Sequence, residues 1–447
     1  MRALTVRVLA LMLGVLLAAL PATAATVIRD AEIEETIRQL ADPIFASAGL
    51  DVDSIDVYLL SDPVLNAFVA GGQNLFINSG LIARTARPEE LRGVIAHETG
   101  HIAGGHLARR LDEARNAHSK ALLGAALGLL AALAGAPEAA TAGFALGATV
   151  AQRSFLAFSR TQEQAADQAA VSYLARLQES PEGLRDFFVT LETQNLRISG
   201  GGGNVYLRTH PLTEDRRRFL DDQVERSPYR GQGLPPELVR AHARMVAKLE
   251  GFLDKPDAVL RSRSGSSVED RYARAIAFYR VPDLGAALTE VDALIGLEPA
   301  NPYFHELKGQ MLFENGRVAE AERPYREALR ARPDSALLRL GLARTLLEQG
   351  GTERVQEAVA LLREATRLEP RTPSMWRFLG VAYGTLGMDG EASLALAEQA
   401  ILTGDKDNAQ YHVRRAQSVI RPGDAEWVRL QDQLRAVSEM PNPRRRS

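Results

Sequence analysis

A spacing that recurs along the C-terminal part of this chain constrains its fold more than any other feature. Ala275, Gly309, Ala343 and Gly380 are 34, 34 and 37 residues apart, and Phe278, Leu312, Leu346 and Tyr383 keep the same steps. Ala287, Ala321, Ala358 and Ala392 follow at 34, 37 and 34, and Pro299, Pro333 and Pro370 at 34 and 37. A small residue in register with a large one is what two antiparallel helices need to approach closely, and the proline ends the second helix. Such units cannot bury their apolar faces alone, so copies must stack. The single longer step is assigned to three extra residues near Gly350-Gly351-Thr352, in a turn where insertion is tolerated.

The pattern resembles the tetratricopeptide repeat, which implies an all-α solenoid that binds other molecules and has no chemistry of its own. Gln410 to Ser438 are expected to add a capping helix pair. The stretch KPDAVLRSRSGSSVE, from Lys255, is short of apolar side chains and rich in serine. We therefore read 255–267 as a linker between a domain at 25–254 and repeats at 268–438.

Chemistry has to come from the first domain. His97-Glu98-Thr99-Gly100-His101 reads HExxH, and Pro88-Glu89-Glu90 just before it carries the proline and acids of a helix start. Four residues turn a helix by about 400°, so His97 and His101 project from one face and can share a tetrahedral zinc. Glu98 lies beside them, placed to take a proton from the water that zinc acidifies and to deliver it to a leaving amine. The chain has no cysteine, so a thiolate site and a disulfide are both excluded and any metal must be held by His, Asp or Glu.

The third ligand separates two classes of zinc peptidase. Gly104 stands where the elongated HExxHxxGxxH motif needs it, but position 107 is Leu, so the third imidazole of that class is missing and His106 is read as structural. The remaining candidates are carboxylates. Glu163 in SRTQEQAAD stands out because Asp167, one helical turn on, could hydrogen-bond a ligand histidine and fix its tautomer.

Around this core the pattern predicts an α+β domain. Apolar residues Ile33, Ile37, Leu40 and Ile44 recur at helical spacing, and short runs with glycine breaks follow from Ile55 to Ile82. Gly71-Gly72 reads as a hairpin turn whose second strand, Asn74, Leu75, Phe76, Ile77 and Asn78, is expected to be a sheet edge that pairs with an extended substrate. A second amphipathic helix is expected at about 155–178. Ala121 to Val150 holds Glu138 as its one ionisable residue and is split by Ala136-Pro137. Two readings stand for it: a buried helical hairpin, or a flap that faces a membrane or client. Gly200 to Gly203 are read as a mobile loop.

The N-terminus carries Arg2 and Arg7, thirteen apolar or small residues from Val8 to Leu20, and Ala22-Thr23-Ala24. That is the pattern of a cleaved signal peptide over 1–24, and export without cysteine fits a bacterial periplasm. With a net charge of −3, the chain has no basic excess for a nucleic-acid partner.

Taken in order, NAFVAGG, HETGHIAGGH, SRTQEQAAD and THPLTEDR, followed by the repeats, resemble the periplasmic β-barrel assembly-enhancing proteases. These are soluble relatives of the CAAX prenyl proteases. The resemblance implies a gluzincin-type zinc metalloendopeptidase with one zinc on His97, His101 and Glu163 and with Glu98 as general base. It also implies clients among unfolded or misassembled outer-membrane proteins, docking of the repeats onto the β-barrel assembly machinery, and peripheral membrane contact through 121–150 on the second reading of that segment. His210, locked by Pro211, has three readings: a surface loop residue, an oxyanion donor, or an inhibitory extra ligand, which the resemblance favours. Arg216 is expected to orient that loop or to pair with Glu214 or Asp167. The rival to an enzyme is a chaperone or scaffold whose metal site His210 keeps closed. Glu98, which a structural zinc site would not need, favours the enzyme.

Overall fold

The computed structural model describes residues 26–109, 159–197 and 205–441. The expected signal peptide, the apolar segment 121–150 and the glycine run 200–203 lie outside these. Contacts divide the chain into two compact units, Met1–Arg29 with Ile37–Val239, and Asp30–Thr36 with Arg240–Ser447.

In the first unit, strands β1 (Thr26–Ile28), β2 (Val57–Ser61), β3 (Ala67–Ala70) and β4 (Asn74–Asn78) form a sheet in the order β1-β2-β4-β3. β2 and β4 run parallel, while β1 with β2 and β3 with β4 are antiparallel. Gly71 and Gly72, with φ of 59° and 100°, make the turn between β3 and β4 that the sequence pattern predicts. The sheet corrects one expectation. Asn74–Asn78 is an interior strand bonded on both sides, Leu75 and Ile77 are fully buried, and β3 is the edge of that hairpin. The reason is the earlier run Val57–Ser61, which pairs in parallel with β4 from Val57–Leu75 to Leu60–Asn78 and takes the outer side that the hairpin left open.

Helix α1 (Ala31–Ser47) buries Ile37, Leu40, Ala41, Ile44 and Phe45 in this unit, along the stripe read from the sequence. Helix α2 (Pro88–Ala103) starts with Pro88 in its first turn and Glu89 and Glu90 beside the exposed N–H groups. Fourteen of its sixteen residues are buried, so it runs through the interior. Two glycines allow this. A Cβ at Gly93 would stand 2.6 Å from the backbone nitrogen of Leu184, on helix α4 (Glu182–Arg197), and one at Gly100 would stand 2.9 Å from Cα of Ala166. Ala166 lies on helix α3, whose described residues are 159–176. The short helix α5 (Val205–Thr209) and helix α6 (Glu214–Arg226) complete the part that bears on the site.

The second unit is helical. Its pairs are Val268–Arg280 with Leu284–Leu297, Pro302–Glu314 with Val318–Ala331, Ala336–Gln349 with Thr352–Leu368, Pro373–Thr385 with Asp389–Leu402, and Lys406–Val419 with Trp427–Glu439. The small positions act as expected: a Cβ on Gly309 would meet the Tyr325 ring at 2.8 Å, and one on Gly380 would meet Leu396 at 2.7 Å. The three-residue insertion is not in a turn. Thr352–Leu368 has 17 residues where the equivalent helices have 14, so the extra residues lengthen the helix by close to one turn, after the positive-φ pair Gly350 and Gly351.

The stretch 255–267 also departs from the linker reading. It contains a helix, Pro256–Ser262, whose Val259 is buried with Ala247, Ala273 and Ala277. One valine among serines and arginines is enough to seat a short helix, and composition does not reveal it. No described helix is long and apolar enough to cross a membrane.

Candidate metal centre

Three elements converge on one buried point. α2 presents His97, Glu98 and His101, α3 presents Glu163 and Asp167, and the residue after α5 is His210. All six are buried, with His101 the most accessible at 6%. Nε2 of His97 is 3.2 Å from Nε2 of His101 and 3.3 Å from Oε2 of Glu163, and Nε2 of His101 is 3.5 Å from Oε1 of Glu163. Nδ1 of His210 is 3.3 Å from Nε2 of His97 and 3.1 Å from Oε2 of Glu163. The four ligand atoms lie within 4.8 Å of one another.

Two independent observations fit a divalent cation. Ligands about 2.0–2.1 Å from a tetrahedral zinc stand about 3.3–3.4 Å from each other, and the five separations given above, 3.1 to 3.5 Å, lie near that value. The composition agrees as well: three buried carboxyl groups, Glu98, Glu163 and Asp167, face one buried guanidinium, Arg216, an acidic surplus that a cation offsets.

A surrounding set of groups orients this core. Nδ1 of His97 is 2.9 Å from Oδ1 of Asp167. Arg216 donates to Asp167 through Nε at 2.6 Å and Nη2 at 2.8 Å, to the Pro211 carbonyl through Nη1 at 2.8 Å, and stands 3.2 Å from Glu163. Both expectations for Arg216 meet here, since it pairs with Asp167 and holds the loop, whereas Glu214 pairs with Arg217 and Arg218. Nε2 of His210 faces Oε1 of Glu98 at 3.5 Å.

The titration behaviour follows from this packing. Burial alone would depress His97, but its hydrogen bonds with Asp167 and Glu163 outweigh that and push it up to about 9. His101 goes the other way, held well below its ordinary value by burial and then by the charge on His97. Burial would raise Glu163, and hydrogen bonds from His210 and His97 instead hold it well below the usual carboxylate range. Asp167 is lowered too, against its burial, by hydrogen bonds from Arg216 and then His97. The pocket thus favours ionised acids around a positive centre.

The structure adds residues that pattern reasoning passed over. Tyr206, buried on α5, stacks on His210 with ring centroids 4.6 Å apart. One helical turn separates the two residues, and that spacing was the available signal. His106, read as structural, reaches His101 at 2.9 Å. Gly93 and Gly100 set how closely α3 and α4 approach α2. Of the candidate site residues, His97, Glu98, His101, Glu163, Asp167, His210 and Arg216 come together here, whereas Asn74–Asn78 form an interior strand and not the expected edge.

Residues 28–224 match Peptidase family M48, and 272–336 and 312–382 match tetratricopeptide repeat families. The N-terminal domain is an M48 peptidase domain. The chain is therefore a metallopeptidase with a C-terminal repeat array of a type that mediates protein–protein interaction. It is 26% identical to the beta-barrel assembly-enhancing protease of Yersinia pestis over 93% of this chain and 86% of that protein. It is likewise 26% identical to the protein of the same name from Escherichia coli strain K12, over 94% and 86%. The chain is also 24% identical, over 179 residues, to the mitochondrial metalloendopeptidase OMA1 of Schizosaccharomyces pombe, covering 40% of this chain and 49% of that one.

Proposed function

We propose that this protein is a zinc endopeptidase of the bacterial periplasm that cleaves unfolded or misassembled outer-membrane proteins, with its repeats holding clients or the assembly machinery. The observation that carries the reading is the buried cluster of His97, His101, Glu163 and His210, whose ligand atoms lie within 4.8 Å of one another, close enough to share one zinc. The names of the two bacterial relatives supply the outer-membrane context.

On this reading His97, His101 and Glu163 hold one zinc, and the ion supplies Lewis-acid chemistry, polarising a peptide carbonyl and acidifying a water. Glu98 accepts the proton of the attacking water and passes it to the leaving amine. Asp167 keeps His97 in the tautomer that offers Nε2, and Arg216 holds Asp167 ionised and in place. The substrate backbone pairs with the free side of β3, the edge strand that packs against α2. Backbone pairing reads no side chains, so extended, unfolded segments are the preferred substrates.

His210, on the loop after α5, brings Nδ1 to 3.3 Å from His97 and 3.1 Å from Glu163, which supports its reading as a fourth ligand that would displace the attacking water. We read the described arrangement as the closed form, which also supports the second reading of a chaperone or scaffold whose site seldom opens. The test is cleavage of an unfolded outer-membrane β-barrel protein by the wild-type chain, His210→Ala and Glu98→Gln, each at measured zinc content. Faster cleavage by His210→Ala with none by Glu98→Gln supports a gated protease. No cleavage by either form at full zinc occupancy would overturn it in favour of the scaffold.

A further inference from the structure

Immediately after its second histidine ligand the chain folds back on itself. Gly104 caps α2, Gly105 takes a φ of 61°, and His106 returns to bring its Nδ1 2.9 Å from Nδ1 of His101. The His106 ring lies against Gly104, where a Cβ would stand 2.4 Å from Nε2 and 2.7 Å from Cδ2. Gly104 has an ordinary helical φ of −72°, so glycine is required there for space and not for backbone freedom. His106 is buried, and its carbonyl accepts a hydrogen bond from Nε2 of Gln162 at 3.2 Å. Gln162 precedes Glu163, so α3 supplies the third ligand and steadies His106 from adjacent positions.

We propose that His106 is a positioning residue for the metal, holding His101 in the orientation and tautomer that ligation requires; this rests on the metal reading above. His101 turns its Nε2 toward His97 and Glu163. A neutral imidazole that offers the Nε2 lone pair carries its hydrogen on Nδ1, and Nδ1 of His106 faces that hydrogen. His106 therefore accepts through Nδ1 and keeps its own hydrogen on Nε2. Asp167 does the same for His97 with a carboxylate, whereas His106 does it without adding a negative charge to a pocket that already holds three. Gly104-Gly105-His106 is then one device: room for the ring, a reversal of the chain, and the acceptor.

The test is the zinc affinity of the full-length chain, measured by competition with a chromophoric chelator, for the wild type, His106→Ala, His106→Asn and Gly104→Ala. Thermal unfolding of the metal-free proteins is followed alongside. His106→Ala is expected to weaken zinc binding by about 10–100-fold. His106→Asn, whose Oδ1 can take the place of Nδ1, should stay within about threefold of wild type. Gly104→Ala, which displaces the ring, should behave like His106→Ala. Wild-type affinity in His106→Ala would overturn the inference while leaving the metal reading intact. Equal loss in the Ala and Asn variants, with metal-free melting lowered in both, would make His106 a packing residue and overturn it too. A wild-type chain that binds no zinc would sink the metal reading and this inference together.

Discussion

Arg216 grips Asp167 with two parallel hydrogen bonds, of 2.6 and 2.8 Å, and holds the carbonyl of Pro211 with its third nitrogen. One side chain thus fixes the carboxylate behind His97 and the loop that carries His210. Its guanidinium also lies 5.0 Å over the Phe188 ring, which completes its burial. Arg216→Ala leaves Asp167 buried without its main partner, a loss of about 3–5 kcal/mol for pairs of this kind. Arg216→Lys should recover part of it, since an ammonium cannot make the paired contact. Urea unfolding of the two variants reads the stability. Because Arg216 also steadies the carboxylate behind His97, Arg216→Ala should weaken zinc binding as well, which metal analysis of the variant reads.

Ligands and base should separate cleanly. His97→Ala, His101→Ala and Glu163→Gln are each expected to lose zinc, whereas Glu98→Gln keeps it and loses cleavage. Metal analysis of the purified variants decides this, and a Glu163→Gln variant that keeps wild-type zinc affinity would move the third ligand elsewhere.

Tyr206 backs the His210 ring through a stacked contact, and its buried hydroxyl is held far above an ordinary phenol's pKa by burial and then by the charge of Glu98. It is a neutral wall, not a base. Tyr206→Ala removes the wall and should reproduce the effect of His210→Ala, with raised cleavage of an unfolded client at unchanged zinc content. Tyr206→Phe keeps the stack and should stay near wild type. Equal activity in wild type and Tyr206→Ala would show that the ring does not hold His210 in place.

What could be read from the sequence follows from the range of each interaction. The candidate cluster was legible because HExxH and Glu163 to Asp167 are each spaced within a single helix, where one turn sets which side chains share a face. The repeats were legible because Ala275, Gly309, Ala343 and Gly380 return in register. β4 departs from the edge position expected of it because its second neighbour, β2, pairs with it across 18 residues and an intervening strand, and parallel pairing leaves no local mark. Val259 was missed because a short helix inside a serine-rich stretch needs only one buried side chain. His106 was undervalued because its role depends on a positive φ at Gly105, which a sequence permits without requiring.

The second unit holds a buried charge cluster. Nζ of Lys248 is 2.7 Å from Asp30 and 3.5 Å from Glu32, and Glu32 also takes hydrogen bonds from Tyr272 at 2.7 Å and Arg244 at 3.1 Å. Glu306 faces this group with a buried Oε2 that has no hydrogen-bond partner among the described residues. Burial pushes Glu306 up to about 8; Lys248 pulls the other way, and the charges of Asp30, Glu32 and Glu34 add to the rise. Between the ordinary carboxylate value near 4.5 and about 8, the folded chain therefore holds a proton that the unfolded chain has released. Stability must fall as pH rises through that window, and the loss is complete above it. Glu306→Gln is a neutral stand-in for the protonated acid and removes this dependence. The variant should melt close to wild type near the lower limit of the window and several degrees higher at its upper limit, with the gap widening steadily between the two. Thermal scans of the full chain across the window test this. Parallel profiles for the two proteins would mean that Glu306 is ionised throughout, and that Lys248 compensates it fully.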